Sequence, residues 1–176
     1  KTLALTGERC VPQKPTKLQV RYKNFSKIYF RVVADDWDRF LGKKWSYPNS
    51  IEEKEISALL ERKPAAEWTA ELEPTKDYKE KTVEIEIPKL KPGYYQIFAS
   101  WQPDFKSSTM VQHTWVWVCD YTLVARMGDG NIDVLVVEAE SGEPVPGAEL
   151  TMVYRDNEYY RLGEKLRTDQ LGRAVF

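Results

Sequence analysis

The chain has 176 residues, 42% hydrophobic and 30% charged, a composition that fits folded globular protein and argues against intrinsic disorder. Its 26 Lys and Arg offset 27 Asp and Glu to a net charge of -1, which leaves no electrostatic footprint for nucleic acid and no polybasic membrane patch. The length suits one large domain or two small ones, and no apolar run approaches the roughly 20 residues that span a bilayer as a helix.

The chain opens on Lys1-Thr2-Leu3 with no initiator Met or signal peptide and closes on the apolar Phe176, which reads as a piece excised from a longer chain. The dominant pattern along it is alternation. Lys17 to Tyr22 alternates as a half-buried strand should, and Lys27 to Val33 follows the turn at Asn24-Phe25-Ser26. Asp35 to Asn49 is a long connection holding Trp37, Gly42, Trp45 and Pro48. Ser50-Ile51-Glu52-Glu53 has the form of a capping box, with Ile56, Leu59 and Leu60 on one helical face and Pro64 just beyond; this predicts one short helix over 50–62, inserted between strands. Thr82 to Ile87 and Tyr94 to Ala99 are strands separated by Pro88 and Pro92-Gly93. In Met110 to Val118, Trp115 and Trp117 share one face of a strand and Val116 and Val118 the other.

The organisation restarts at Cys119-Asp120. Tyr121 to Arg126 reads as a strand, Gly128-Asp129-Gly130-Asn131 as a tight turn, and Ile132 to Glu138 as a central strand. After bends at Ser141-Gly142-Glu143 and Pro144-Val145-Pro146-Gly147 come strands at Ala148 to Tyr154 and Glu158 to Leu166. A turn at Thr168 to Gly172 leads into a last strand from Arg173 to Phe176. Short strands at regular spacing predict sandwiches or barrels. The second module shows about five strands against the roughly seven of an immunoglobulin-like sandwich, so its last strands are expected to lie beyond Phe176. No low-complexity linker separates the modules, which predicts a stiff junction.

Few residues invite a chemical role. The only histidine, His113, lies five residues from Ser108 and six from Ser107 across a loop-to-strand transition, a spacing that fixes no nucleophile–base geometry; a packed or solvent-facing strand histidine is the plainer reading. The acidic run Asp35-Asp36-Trp37-Asp38 could offer oxygen ligands to calcium but lacks the glycine and ligand spacing of an EF-hand loop. That run and Glu52, Glu53 and Glu55 read as solvated faces. Cys10 and Cys119 form no zinc or redox spacing; a disulfide tying the first strand of a module to its last and two free buried thiols both remain open, the second being plainer. The six tryptophans (Trp37, Trp45, Trp68, Trp101, Trp115 and Trp117) could stack on sugar rings, yet large aromatics more commonly fill a sandwich core. Gly128-Asp129-Gly130 is turn chemistry, not a phosphate cradle. No catalytic residue, cofactor-binding residue or metal ligand is assigned.

The most specific stretches are Ser141-Gly142-Glu143-Pro144-Val145-Pro146-Gly147-Ala148 and Thr168-Asp169-Gln170-Leu171-Gly172-Arg173-Ala174-Val175-Phe176. Glycines allow tight bends, prolines fix φ, and Asp169 can close a turn through its side chain. This pair resembles the macroglobulin-type domains of the alpha-2-macroglobulin family, in particular its large bacterial members, and also occurs in carboxypeptidase-regulatory-like and transthyretin-like modules. The entry Trp115 to Leu123 is similar to the way a macroglobulin module begins. Leu18 to Asn24, Glu67 to Leu72, Asp77-Tyr78, Ile87 to Leu90 and Pro92 to Tyr95 resemble the preceding module in macroglobulins of Bacteroidetes type.

The resemblance implies an all-β chain of two tandem immunoglobulin-like, macroglobulin-type sandwiches. The first, 1–118, carries the inserted helix; the second, 119–176, is incomplete at its C-terminus. The resemblance further implies non-catalytic scaffold modules, without cofactor, of an exported protein of the periplasm or cell surface that traps endopeptidases. The family's Cys-Gly-Glu-Gln thioester run is absent from these residues, as is any recognisable bait region. Expected partners are further domains of the parent chain and, through it, target proteases. An edge-strand dimer of the 176-residue piece is also expected, because unpaired edges seek partners. The alternative is a surface adhesin or carbohydrate-binding module that uses a sandwich face.

Overall fold

A computed structural model describes residues 1–7, 10–11, 16–40, 51–75, 79–106, 111–157 and 159–176. These are mostly β-strands in several sheets, with one short α-helix, and they divide into two compact units. The first comprises Lys1–Asp36 and 51–118; the second comprises Cys119–Phe176 together with the short 3-10 helix Trp37–Phe40.

The first unit is a sandwich. One sheet has the order β1 (Thr2–Gly7), β3 (Thr16–Lys23), β6 (Lys81–Ile87), all antiparallel. The other has the order β2 (Cys10–Val11), β8 (Val111–Val118), β7 (Gly93–Ser100), β4 (Lys27–Ala34), β5 (Ala66–Glu71), antiparallel except for the β2–β8 pair. Alternation aims Leu18, Val20 and Tyr22 of β3 at Ile28, Phe30 and Val32 of β4, Tyr95, Ile97 and Ala99 of β7, and Val116 and Val118 of β8, and these residues form one buried cluster. Trp68 of β5 lies flat on Phe30 at 4.7 Å between ring centroids.

Strand β7 departs from the sequence reading. Every residue from Tyr94 to Ser100 is buried, not every second one. A strand is buried on both faces when a second layer covers its outer side. The helix α1 (Glu53–Leu60) follows β4 in the chain, with Leu59 buried on it. The end of α1 is tied to β4: Arg31 Nη1 donates to Leu60 O at 3.1 Å and Ala65 N–H to Val32 O at 2.7 Å.

The inserted helix is present, but its cap is shifted. Ser50 lies outside the described residues; the N-cap is Glu52, whose N–H donates to Glu55 Oε2 at 3.0 Å. Glu53 is therefore the first helical residue and cannot be the third, as the Ser50 box required. Strands β1, β2 and β5 carried no sequence signal that was read as a strand. Of the sequence-predicted features, Gly42, Trp45, Pro48, Asn49, Asp77, Tyr78, Ser107, Ser108, Met110 and Glu158 also fall outside the described residues.

The second unit has a sheet of order β13 (Arg173–Val175), β10 (Asn131–Glu138), β9 (Tyr121–Gly128) and a hairpin of β11 (Glu149–Asp156) and β12 (Tyr159–Arg167). The β9–β10 hairpin turns through Asp129 and Gly130, with φ of 51° and 83°. Positive φ at both central residues defines the type I′ turn that matches the strand twist, and Asp-Gly is its preferred pair.

The two turn motifs close on each other. The buried Thr168 side chain donates from Oγ1 to Val145 O at 2.6 Å and accepts from Ala148 N–H at 2.8 Å. Its backbone exchanges bonds with Ala148 O at 3.0 Å and Gly147 N–H at 2.9 Å. Asp169 Oδ1 accepts from the N–H groups of Leu171 at 2.8 Å and Arg173 at 2.9 Å, folding the turn that leads into β13. Gly172 has φ of 71°, and a Cβ there would lie 2.5 Å from Val136 O and 3.1 Å from Val145 N.

Gly172→Ala therefore combines a disfavoured φ with a backbone clash. It is expected to destabilise the second unit by at least about 2 kcal/mol. Hydrogen exchange at the Val134 and Val136 amides should accelerate by about thirtyfold or more. Unchanged protection there would show that the turn is not needed to hold β10.

Candidate functional site

Several of the described residues that invited a chemical role are engaged in packing or hydrogen bonds. His113 sits on β8, paired across the sheet with Phe98, and its ring lies 6.1 Å from the Phe98 ring. It is half-buried, and among the described residues its buried Nδ1 has no hydrogen-bond partner. Burial pushes its pKa below the ordinary histidine value. Asp35, at the end of β4, has a fully buried carboxylate. It accepts from Asp36 N–H at 2.9 Å and from Gln96 Nε2 at 3.3 Å, with Arg62 Nη1 at 3.8 Å. Gln96 is itself fully buried and also donates to Tyr94 Oη at 3.0 Å. Asp35 thus anchors the chain as it leaves the sheet. Among the described residues no three His, Cys, Asp or Glu side chains come together as metal ligands.

Four of the tryptophans are engaged as well. Trp68 stacks on Phe30 and Trp101 on Phe25, both against the main core. Trp115 and Trp117 do share one face of β8, half-buried, and tilt onto Tyr94 at 6.0 and 5.0 Å. Cys119 is a half-buried free thiol whose Sγ accepts from Tyr121 N–H at 3.4 Å. The backbone of Cys10 pairs with that of Trp117; its side chain lies outside the description.

What distinguishes the surface is apolar exposure on the second unit, which composition could not reveal. Among the described residues, the large exposed hydrophobic side chains all lie between Tyr121 and Val175. The register of β9 shows how this arises. Tyr121, Leu123, Ala125 and Met127 share a face with Ile132, Val134 and Val136 of β10 and Ala174 of β13. Val134 and Val136 are each 5% exposed, whereas Leu123, directly opposite Val136, is 55% exposed and Met127 82%. The layer that covers β10 and β13 stops short of β9. On the other face, Val124, Leu135 and Val175, interleaved with Arg126, Asp133 and Arg173, line an open groove of about 650 Å³. Contiguous exposed apolar surface of this kind marks an interaction surface more often than a solvent-facing one. The arrangement suits it to packing against a further β element.

No protein-family model matches the chain, and no curated protein matches it. Solved structures do. A crystal structure of native alpha-2-macroglobulin from Escherichia coli spanning domains NIE-MG1 matches with a TM-score of 0.67 and 12% identity, over 98% of this chain and 86% of that one. A longer fragment of the same protein, spanning MG0-NIE-MG1, matches with a TM-score of 0.66 and 12% identity, over 99% of this chain and 57% of that one. The fold is therefore that of alpha-2-macroglobulin domains. The chain spans little more than half of the longer fragment, and both neighbours are themselves pieces of a multidomain protein. Among the described residues, no helix is long and apolar enough to cross a membrane.

Two outcomes follow from these environments. Thr168→Val leaves Val145 O and Ala148 N–H without their side-chain partner, at a cost of about 2–4 kcal/mol, while Thr168→Ser keeps both bonds. Urea titration should show the Val variant much weaker than the Ser variant; equal losses would mean that the methyl group matters and the hydroxyl does not. His113 gives a pH effect. Its folded pKa is depressed, so the unfolded chain takes up the proton first as pH falls. This contribution to stability is complete above the unfolded value of about 6.5 and is lost as pH drops from there through the lower folded value. The urea midpoint is expected to fall between pH 7.5 and 5.5, and to fall less in His113→Gln. An equal fall would assign the effect to other groups.

Proposed function

We propose that this chain is a non-catalytic scaffold segment of a bacterial alpha-2-macroglobulin-like protein of Bacteroidetes type, a parent that traps endopeptidases at the cell envelope. Two modules, 1–118 and 119–176, occupy consecutive positions near the parent's N-terminus, the first in the place of NIE and the second in the place of MG1. The parent is exported to the periplasm or cell surface. The segment holds no cofactor and carries no reacting group; its partners are the parent's further domains and, through the parent, the target proteases. The observation that carries this reading is that both units, 98% of the chain, find their counterpart in one continuous alpha-2-macroglobulin fragment. The bare row on β9 supports the second half of it. Leu123 and Met127 are exposed beside buried Val134 and Val136, as expected of a sandwich whose opposing layer is finished by further strands of the parent. The adhesin or carbohydrate-binding alternative draws no such support, since Trp115 and Trp117 tilt onto Tyr94 instead of presenting a free platform.

The parent protein provides the test. Purified parent incubated with an endopeptidase should block cleavage of a large protein substrate while sparing a small chromogenic peptide, because a caged protease still admits small substrates. The 176-residue chain alone should do neither. A parent of only one or two domains, or one that leaves large-substrate cleavage untouched across endopeptidases of several specificities, would overturn the reading.

A further inference from the structure

Among the strand edges whose side chains are described, the free edge of β9 is the least defended. Sheets ordinarily protect their edges with charges, prolines, bulges or short strands. Strand β5 carries Glu67 and Glu71, and β6 carries Lys81, Glu84 and Glu86. Strand β1 has no charge but is half-buried alongside β8. In the second unit, β13 is only three residues long, β11 is interrupted by an irregularity between Thr151 and Val153, and β12 carries Arg161, Glu164, Lys165 and Arg167. Strand β9 has eight residues in unbroken register with β10, no proline, one charge at Arg126, and every residue exposed.

The sequence of β9 is self-complementary in one antiparallel register. We propose that the edge binds β9 of a second copy of this chain, about a two-fold axis that places Val124 opposite its own copy. The remaining pairs are then Leu123 with Ala125, Tyr121 with Met127, and Thr122 with Arg126. Paired residues share a face, so the exposed row of Tyr121, Leu123, Ala125 and Met127 continues into the same row of the partner copy. Two Met127–Tyr121 contacts place a thioether against an aromatic ring. On the opposite face, Val124 and Leu135 of both copies form a central apolar row, since Leu135 pairs with Val124 within each copy. Arg126 has Asp133 beside it in its own copy and Thr122 across the axis, so no like charges meet. Antiparallel registers of one edge differ by two residues: centring on Ala125 would set Val124 opposite Arg126, and centring on Leu123 would set Val124 opposite Thr122, and either breaks the central apolar row. The two sheets join as β13-β10-β9-β9-β10-β13, a closed isologous pair with no second sticky edge on β9. This inference does not depend on the proposed function, since it uses only the outer edge of β9.

Sedimentation equilibrium of the 176-residue chain tests it, with a dimer of twice 20.5 kDa expected. Thr122 is exposed on the pairing edge, so changing it leaves the fold of the monomer alone. Thr122→Glu faces Arg126 of the partner copy and should tighten the dimer, while Thr122→Lys should weaken it. With two such pairs per dimer, each shift is roughly two- to thirtyfold in the dissociation constant. In a background with Cys10→Ser and Cys119→Ser, Val124→Cys should cross-link to itself on mild oxidation, because directly opposed residues lie within disulfide range. Thr122→Cys should not, its own copies being four residues, about 13 Å, apart. A monomer at all concentrations would overturn the proposal. So would a dimer that responds alike to Glu and Lys at 122, or one that cross-links through 122 and not through 124.

Discussion

The second unit hangs on the side chain of Thr168. Its hydroxyl donates to Val145 O and accepts from Ala148 N–H, so one buried oxygen joins the bend that follows β10 to the turn that precedes β13. The neighbouring backbone repeats the connection through Gly147 and Ala148. These bonds hold two segments about twenty residues apart and satisfy main-chain groups that no strand partner reaches, as buried backbone requires. Gly172 completes the closure: only a residue without Cβ passes within contact of Val136 O and Val145 N. The strands β10 and β13 can pair, and bury Val134, Val136 and Ala174 between the layers, because this closure sets where β13 begins.

How much of this was legible in the sequence depends on where the neighbours come from. Strands β3 and β6 announce themselves because each has one buried face and alternation records it; β4 alternates as far as Val33, which is buried too, and β10 is legible as a run apolar enough to be central. The helix could be read from Ile56, Leu59 and Leu60, but its first residue could not. Ser50, Glu52, Glu53 and Glu55 offer two overlapping boxes, and the position of the first helical turn decides between them. Strand β5 is nearly silent: Ala66 and Ala70 are too small to mark an apolar face, and its place is fixed by pairing with β4 and by Trp68 on Phe30. The double burial of β7 was invisible for a different reason, since Gln96 and Ser100 are polar letters in a buried strand, Gln96 being held there by Asp35 and Tyr94. For the candidate surface, the apolar letters of β9 were plain, but the alternation reads the same whether the face is covered or bare. Only the exposure of Leu123 beside buried Val136 separates the two.

The two units handle their polar groups in opposite ways. In the first, versatile side chains are drawn into packing: Asp35 and Gln96 bond each other beneath Tyr94, and His113 lies against Phe98. Such groups are held by several elements at once. In the second, the buried polar side chain is that of the turn residue Thr168, and beside the buried Val134, Val136 and Ala174 many large apolar groups remain exposed. A unit with a fixed turn framework and an unfinished apolar face is suited to receive another β element.

The same physics limits what the paired turn motifs can reveal about function. Thr168 needs a hydroxyl to bond a carbonyl and an amide at once, Asp169 needs two acceptor positions for Leu171 and Arg173, and Gly172 needs positive φ with no Cβ. Ala174 is apolar and buried where β13 pairs with Val134 of β10. Each requirement concerns joining two strands across a sandwich and none concerns a ligand. Any β module that makes this closure would select the same residues, which is why unrelated functions can share the pattern. The motif therefore locates a fold. The distinction among the proteins that use it must come from the surface left over, and here that surface is the unguarded edge and bare row of β9.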